Sequence, residues 1–222
     1  GEETLVVVEA PSILNVHRDM QFDTIYQEHF SYLSATFLQS VLGDFGLRLS
    51  GLDKVETHGG SLRFYITKEQ TSVQIYQSQA DTLALVLEDE ASAQFTSQDV
   101  WRKFSERVNK VLVEFRDWVS SNPSRVVGYG AAAKAVTLMS AAQIPRDSIK
   151  YCIDNSEFKA GRYLPGSRTL IVSEDEYVNS LSMAGDIFLV FPWNLERELS
   201  ARIRSISPGA RIFAAIPELR EI

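Results

Sequence analysis

The segment with the most closely spaced candidate catalytic residues lies early in the 222-residue chain, where a tyrosine, a glutamate and a histidine fall within four positions. Histidine titrates near neutrality and can take a proton from carbon or oxygen. Tyrosine can hydrogen-bond a developing enolate, and a carboxylate can hold an imidazole in one tautomer. Tyr26, Glu28 and His29 are therefore candidates for proton abstraction. The alternative is a helix-start histidine that bonds only to backbone or solvent.

A second candidate is the stretch VVGYGAAAK at residues 126–134, which predicts a strand, a Gly-x-Gly-x-x-Ala turn and a helix. Small residues let an anion approach the helix N-terminus, where the dipole and free N–H groups favour negative charge. Asp154 ends the next predicted strand, where dinucleotide sites place their ribose-binding acid. By itself, this pattern predicts NAD(P) or another nucleotide.

Two further loops carry candidate ligand-binding residues. Gly59 and Gly60 follow His58 and allow a ligand to approach the backbone, and Arg63 could hold a phosphate or sugar oxygen; the alternative is an ordinary hairpin turn. In the loop GRYLPG at residues 161–166, Arg162 could clamp a phosphate and Tyr163 could stack on a sugar or base. The alternative there is a purely structural loop.

The elements that position these residues differ along the chain. Residues 5–9 predict a buried, central strand, residues 30–45 a helix, and residues 47–57 and 61–67 two strands of a hairpin. Residues 78–122 are helical almost throughout, with an apolar stripe that should pack in a core. The stripe comprises Val100, Phe104, Val108, Val111, Leu112, Phe115 and Val119.

After Pro123 the pattern changes to alternating strands and helices. Strands are predicted at residues 125–129, 149–154, 169–172, 186–191 and 210–216, and helices at 131–143, 174–181 and 195–206. Asn194 should cap the last of these helices. This alternation predicts an α/β fold with a parallel sheet covered on both faces. We divide the chain into residues 1–77, a helical connector at 78–122, and a Rossmann-like domain at 123–222.

Composition excludes several classes of function. The net charge of -7 and the lack of any basic run argue against a nucleic-acid binder. The single Cys152 excludes an internal disulfide and a paired-thiol zinc site, and we expect no metal in this chain. No apolar stretch approaches the roughly 18 residues of a membrane span, and the acidic first residues are unlike a signal peptide. We expect a cytoplasmic protein with no membrane partner.

The amino-acid sequences of five blocks resemble motifs of the bacterial sugar C-methyltransferases. Residues 26–32 carry the Tyr-x-Glu-His-x-x-Tyr motif of that family. The other blocks are HGGSLR at 58–63, GYGAAAK at 128–134, GRYLPG at 161–166 and PWN at 192–194. They occur in the family's order and cover nearly the whole chain.

The resemblance implies an S-adenosylmethionine-dependent enzyme that methylates the carbon beside the keto group of a nucleotide-diphosphate deoxysugar. His29 would be the base, with Tyr26 and Glu28 as its companions. The enolate would then attack the sulfonium methyl group in line. The Rossmann-like domain would help to enclose the sugar nucleotide, with Gly130 in its glycine turn and Lys134 facing the diphosphate. A solvated surface position is the alternative for Lys134.

The chain also departs from the family. The amino-terminal zinc module and the Gly-rich turn for the methyl donor are absent, and residues 1–77 resemble only the late part of the donor-binding domain. We therefore expect no methyl transfer by this chain alone; a separate amino-terminal half or self-association would complete it. Two alternatives stay open. One is an NAD(P)-dependent oxidoreductase or nucleotide sensor, and the other is a non-catalytic module that recruits nucleotide sugars.

Overall fold

The chain folds into two compact units in a computed structural model that describes residues 3–182 and 184–222. The first unit comprises Gly1–Gln21 and His29–Ser105, and the second comprises Phe22–Glu28 and Glu106–Ile222. The division passes through the predicted catalytic motif. Tyr26 and Glu28 belong to the second unit, whereas His29 belongs to the first.

The first unit is built on a three-stranded antiparallel sheet. Its strands are β1 (Leu5–Pro11), β2 (Leu47–Val55) and β3 (Ser61–Lys68), in the order β1-β3-β2. A 3-10 turn at Thr57–Gly59 joins β2 to β3, which confirms the predicted hairpin. Helices α1 (Ile13–Arg18), α2 (Ala35–Leu42) and α3 (Gln77–Ala93) complete the unit. Its core includes the fully buried Leu52, Phe64 and Val86.

The prediction that residues 5–9 form a buried, central strand is wrong in both respects. β1 lies at an edge of the sheet and pairs with β3. Leu5, Val6 and Val7 are 40%, 43% and 50% exposed. A continuous run of apolar β-branched residues favours a strand, but it does not determine whether other elements cover its two faces.

The predicted helix at residues 30–45 begins later than expected, because α2 starts only at Ala35. The Ser34 hydroxyl accepts a hydrogen bond from the Phe37 N–H at 3.0 Å. The carboxylate of Glu90, on α3, accepts from the N–H groups of Ala35 and Thr36 at 2.8 Å each. Together they satisfy the first three N–H groups of the helix and fix its start. Tyr26 and His29 therefore do not share a helical face.

Two long helices confirm the helical prediction for residues 78–122. α3 is followed by α4 (Gln98–Ser121). Core packing of the α4 stripe is confirmed for five of its seven residues. Phe104, Val111, Leu112, Phe115 and Val119 are buried, and Val100 and Val108 are half-buried. The division between the two units falls within α4, after Ser105. The boundary that the sequence suggests at residue 123 stays a prediction.

The second unit is a doubly wound α/β structure, as predicted. Its six-stranded sheet has the order β6-β5-β4-β7-β8-β9, and all neighbours except β8 and β9 are parallel. Counted from β4, the five parallel strands follow the Rossmann order 3-2-1-4-5. The strands are β4 (Val126–Tyr129), β5 (Tyr151–Ile153), β6 (Ile171–Val172), β7 (Ile187–Val190), β8 (Arg211–Ala214) and β9 (Arg220–Glu221). Only β9, two residues long, was not predicted.

Three helices join these strands. They are α5 (Ala133–Ala141), the short α6 (Glu174–Glu176), which continues into a π-helical turn at Tyr177–Leu181, and α7 (Glu196–Ile206), preceded by a 3-10 turn at Trp193–Leu195. The core between sheet and helices contains the buried Val127, Phe188, Ile203 and Ile212. In the described part of the chain, no helix has the length and apolarity to cross a membrane.

Candidate functional site

The glycine turn after β4 is closed by contacts within the protein. Asp154, at the end of β5, accepts hydrogen bonds from the Ala131 N–H at 2.8 Å, the Ser156 N–H at 2.9 Å and the Lys159 ammonium at 2.9 Å. The Gly130 N–H donates to the Ile153 carbonyl at 2.8 Å. Asp154 therefore stabilises the turn itself, and the dinucleotide interpretation loses the ribose-binding acid on which it depended.

Gly130 is explained by packing. It has a φ of +89°, and a Cβ atom there would lie 2.5 Å from Cγ of Pro192, which follows β7. A side chain at this position would thus collide with the next loop of the same sheet edge. The geometry accounts for the glycine without a ligand, so its role in substrate binding stays a prediction.

Lys134, in the first turn of α5, is not a solvated surface lysine. It is only 8% exposed, and its ammonium donates to Asn194 Oδ1 at 2.8 Å. The same ammonium lies 3.9 Å from the ring centroid of Trp193, which is a cation–π contact. Burial lowers the pKa of Lys134, and the nearby Asp23 carboxylate opposes that shift.

The predicted cap of α7 by Asn194 is also wrong. Asn194 lies within the 3-10 turn that precedes the helix, and the N-cap position is Leu195, which has no side-chain cap. The Asn194 side chain is instead the hydrogen-bond acceptor for Lys134. The loop after β7 and the start of α5 therefore form one polar cluster at the carboxyl edge of the sheet, where open α/β sheets bind ligands.

Asp23 joins this cluster and was not predicted. It is 1% exposed, in a buried 3-10 turn at Phe22–Thr24, and its Oδ2 accepts from the Trp193 indole N–H at 2.8 Å. Burial raises the pKa of Asp23 to about 6, although Lys134 and Trp193 oppose the shift. Asp23 and Trp193 are 170 positions apart, and no spacing pattern in the sequence links them.

The predicted catalytic residues lie on an irregular segment next to that turn. Tyr26 is half-buried and Glu28 is exposed, both in the second unit. Burial raises the pKa of Tyr26, with smaller contributions from Glu28 and Asp23, so its phenol stays protonated at neutral pH. In the first unit, His29 is half-buried, and its ring meets that of Tyr32 edge-on at 6.4 Å. Phe30 is 96% exposed, so this segment is open to solvent.

The HGGSLR block forms the turn and strand that were expected, but its polar groups are largely engaged. His58 is exposed, with φ of 56°. The Gly59 carbonyl accepts from the Gln21 side chain at 2.8 Å, and Arg63 pairs with Glu9 across β1 and β3 at 2.9 Å. His58 and the backbone of Gly59 lie within reach of solvent, whereas the charge of Arg63 is already balanced.

The GRYLPG loop does not bring its two candidate side chains to the glycine turn. Arg162 is exposed, and Tyr163 is 60% exposed. Tyr163 lines a cavity of about 230 Å³ together with Lys150, which precedes β5. Gly130 follows β4, which is parallel to β5. Tyr163 and Gly130 therefore lie at opposite ends of the sheet and do not form one site within this unit.

No metal site was found among the described residues, where no three His, Cys, Asp or Glu side chains are grouped to hold an ion. Cys152, the only cysteine of the chain, is buried at 0% exposure. Burial raises the pKa of its thiol, which makes it an unreactive core residue.

Comparison with known proteins agrees with the resemblance in the motifs. Residues 56–217 match the family model described as the C-methyltransferase C-terminal domain. The chain is also 30% identical to the C-methyltransferase NovU of Streptomyces niveus, over 98% of this chain and 51% of that protein. The chain thus spans about half the length of this relative, and the family model begins after the Tyr26–His29 motif. Because the family model covers most of the chain, the protein belongs to the C-methyltransferase family and corresponds to the C-terminal domain of its members.

Proposed function

We propose that this chain is the proton-abstracting and sugar-nucleotide-binding part of an S-adenosylmethionine-dependent C-methyltransferase that acts on a nucleotide-linked ketodeoxysugar. The observation that carries the proposal is the Tyr-x-Glu-His motif at residues 26–29, on an open segment of a chain that belongs to the C-methyltransferase family. A histidine in such a segment can reach a substrate without any core rearrangement.

The methyl donor is held outside this chain, because the chain's own glycine turn does not suit it. The Asp154 carboxylate is already hydrogen-bonded to the Ala131 N–H and to Lys159, and the Pro192 ring occupies the space next to Gly130. When bound, S-adenosylmethionine supplies an electrophilic methyl group. The 222 residues alone are therefore expected to bind the sugar nucleotide without methylating it.

Each motif residue has a distinct role in the proposal. His29 takes the proton from the carbon beside the keto group. Tyr26 keeps its phenolic proton, since its pKa is raised, and donates a hydrogen bond to the oxygen on which negative charge develops. Glu28 orients the imidazole through its carboxylate.

The sugar nucleotide is proposed to lie at the carboxyl edge of the second unit's sheet, over Gly130 and Lys134 and next to the Phe22–Thr24 turn. Lys134 would stabilise the diphosphate through its positive charge. The roles of Arg162 and Tyr163, at the opposite end of that sheet, and of His58, Gly59 and Arg63, in the first unit, stay predictions. A reducing cytoplasm, which the buried free thiol of Cys152 suits, is the proposed location.

The direct test is methyl transfer by this chain together with the donor-binding part that we propose lies outside it, here called the full-length protein, carrying His29→Gln. Loss of a positioned base costs about 10²–10⁴-fold in kcat, and we expect a loss in that range with little change in KM for the sugar nucleotide. Gln27→Ala, at the exposed neighbouring position, is the matched control and should keep wild-type kcat. Methylation by His29→Gln at the control's rate would remove His29 as the base.

A further inference from the structure

A buried acid lies immediately before the catalytic motif and makes contacts that the proposed chemistry does not use. Asp23 accepts from the Trp193 indole through Oδ2, while its Oδ1 has no hydrogen-bond partner among the described residues. A buried carboxylate oxygen without a partner is uncommon in folded proteins, because its desolvation is not compensated. The desolvation of Oδ1 therefore offsets part of the stability that the hydrogen bond to Trp193 contributes.

The groups that face Asp23 come from three parts of the second unit. Lys134 is on α5, which packs against the Phe22–Thr24 turn, and its positive charge acts on the Asp23 carboxylate. Trp193 presents its N–H to Asp23 and its ring face to Lys134. Tyr26 follows on the same segment, and the charge of Asp23 acts on its phenol.

The backbone connects this cluster directly to the motif. The Ile25 N–H donates to the Phe22 carbonyl at 3.0 Å, and the Tyr26 N–H donates to the Thr24 carbonyl at 3.1 Å. The position of the buried Phe22–Thr24 turn therefore determines the position of the Tyr26 backbone, which follows it directly. Beyond Tyr26 the segment has no regular structure, and Glu28 is exposed.

We propose that Asp23 is a positioning residue for the methyl-transfer reaction. Its carboxylate holds the Phe22–Thr24 turn against Trp193 and Lys134, and that turn determines where Tyr26 and Glu28 lie. This inference rests on the proposed function of the motif. A buried hydrogen bond beside a charge of opposite sign has one preferred geometry, whereas an apolar contact tolerates sliding. Small displacements of catalytic groups are enough to lower kcat substantially.

The test compares Asp23→Ala and Asp23→Asn in the full-length protein, with kinetics and amide hydrogen exchange measured on the same samples. For Asp23→Ala we expect kcat to fall about 10- to 100-fold, with KM for the sugar nucleotide within about threefold of wild type. Amide exchange should rise about tenfold or more in residues 22–28 and stay unchanged in the strands of the second unit.

Asp23→Asn keeps an oxygen that accepts from Trp193 but not the charge that acts on Lys134, so both readouts should lie between those of Asp23→Ala and wild type, and closer to wild type. Asp19→Ala removes another acid of the same region, which pairs with Arg18 at the surface, and serves as the control with wild-type behaviour. The inference is overturned if Asp23→Ala keeps its kcat, if exchange rises equally throughout the second unit, or if Asp23→Asn fails to rescue. Activity of His29→Gln in the same assay reports separately on the proposed function.

Discussion

At the turn after β4, a single missing side chain allows two loops of the second unit to pack together. Gly130 combines a left-handed backbone with direct contact to the Pro192 ring. The glycine spacing resembles a nucleotide-binding fingerprint, but here the same small residues serve loop packing and a hydrogen bond to Asp154. A motif read by residue type alone cannot distinguish room for a ligand from room for a neighbouring side chain.

Replacing Gly130 by alanine should destabilise the second unit through both effects. Backbone strain and the contact with Pro192 together should lower the free energy of unfolding by about 3 kcal/mol. Gly209→Ala is the matched control, because Gly209 has a φ of +82° and no neighbouring atom within 4 Å of an added Cβ. It should cost only about 1 kcal/mol. Equal losses in urea denaturation would show that contact with Pro192 contributes nothing.

At the scale of elements, most of the second unit could be predicted from the sequence. The strands from β4 to β8 are short apolar runs between clear breakers, and the longer helices α5 and α7 between them carry buried residues on one face. Such local signals suffice for a parallel α/β sheet. β9 was missed because two residues, Arg220 and Glu221, carry no periodicity.

The start of α2 could not be predicted, because it depends on a distant side chain. The apolar spacing predicts a helix from residue 30 onward, yet Glu90, 55 positions after Ala35, supplies the acceptors at which the helix begins. The edge position of β1 likewise depends on which elements cover it. The contact between Asp23 and Trp193 could not be predicted for the same reason, since contacts between distant positions produce no periodic pattern in the sequence.

Removing the Glu90 carboxylate should therefore weaken the first unit markedly. Glu90→Ala leaves the N–H groups of Ala35 and Thr36 without their acceptors, and we expect a loss of about 3 kcal/mol in the free energy of unfolding. Glu88→Ala, at an exposed position of the same helix, should change it by less than about 0.5 kcal/mol. Urea denaturation followed by circular dichroism measures both, and similar losses for the two variants would contradict the capping role.

At the scale of the whole molecule, the net charge limits how the proposed ligand can be held. The chain carries a net charge of -7, so the phosphate groups of the sugar nucleotide that we propose would be bound by local contacts and not by a general positive field. The fold alone would allow a redox cofactor as readily as a sugar nucleotide. The internal use of Asp154 favours the sugar nucleotide.

Calorimetric titration of the 222-residue chain separates these two ligands. We expect a thymidine-diphosphate sugar to bind and NAD to give no heat of binding at the same concentrations. Lys134→Met, which removes the cation beside the glycine turn, should weaken sugar-nucleotide binding about tenfold, whereas Arg162→Ala, at the opposite end of the sheet, should leave it unchanged. Binding of NAD by the wild-type chain would instead support the dinucleotide interpretation.

The most direct measurement of the central claim is hydrogen exchange at the substrate carbon itself. The full-length protein is incubated in D₂O with a nucleotide-linked ketodeoxysugar, without the methyl donor, and deuterium at the carbon beside the keto group is followed by NMR. We predict that the wild-type protein exchanges this hydrogen and that His29→Gln slows the exchange at least about 100-fold. Exchange by His29→Gln at the wild-type rate would contradict the account.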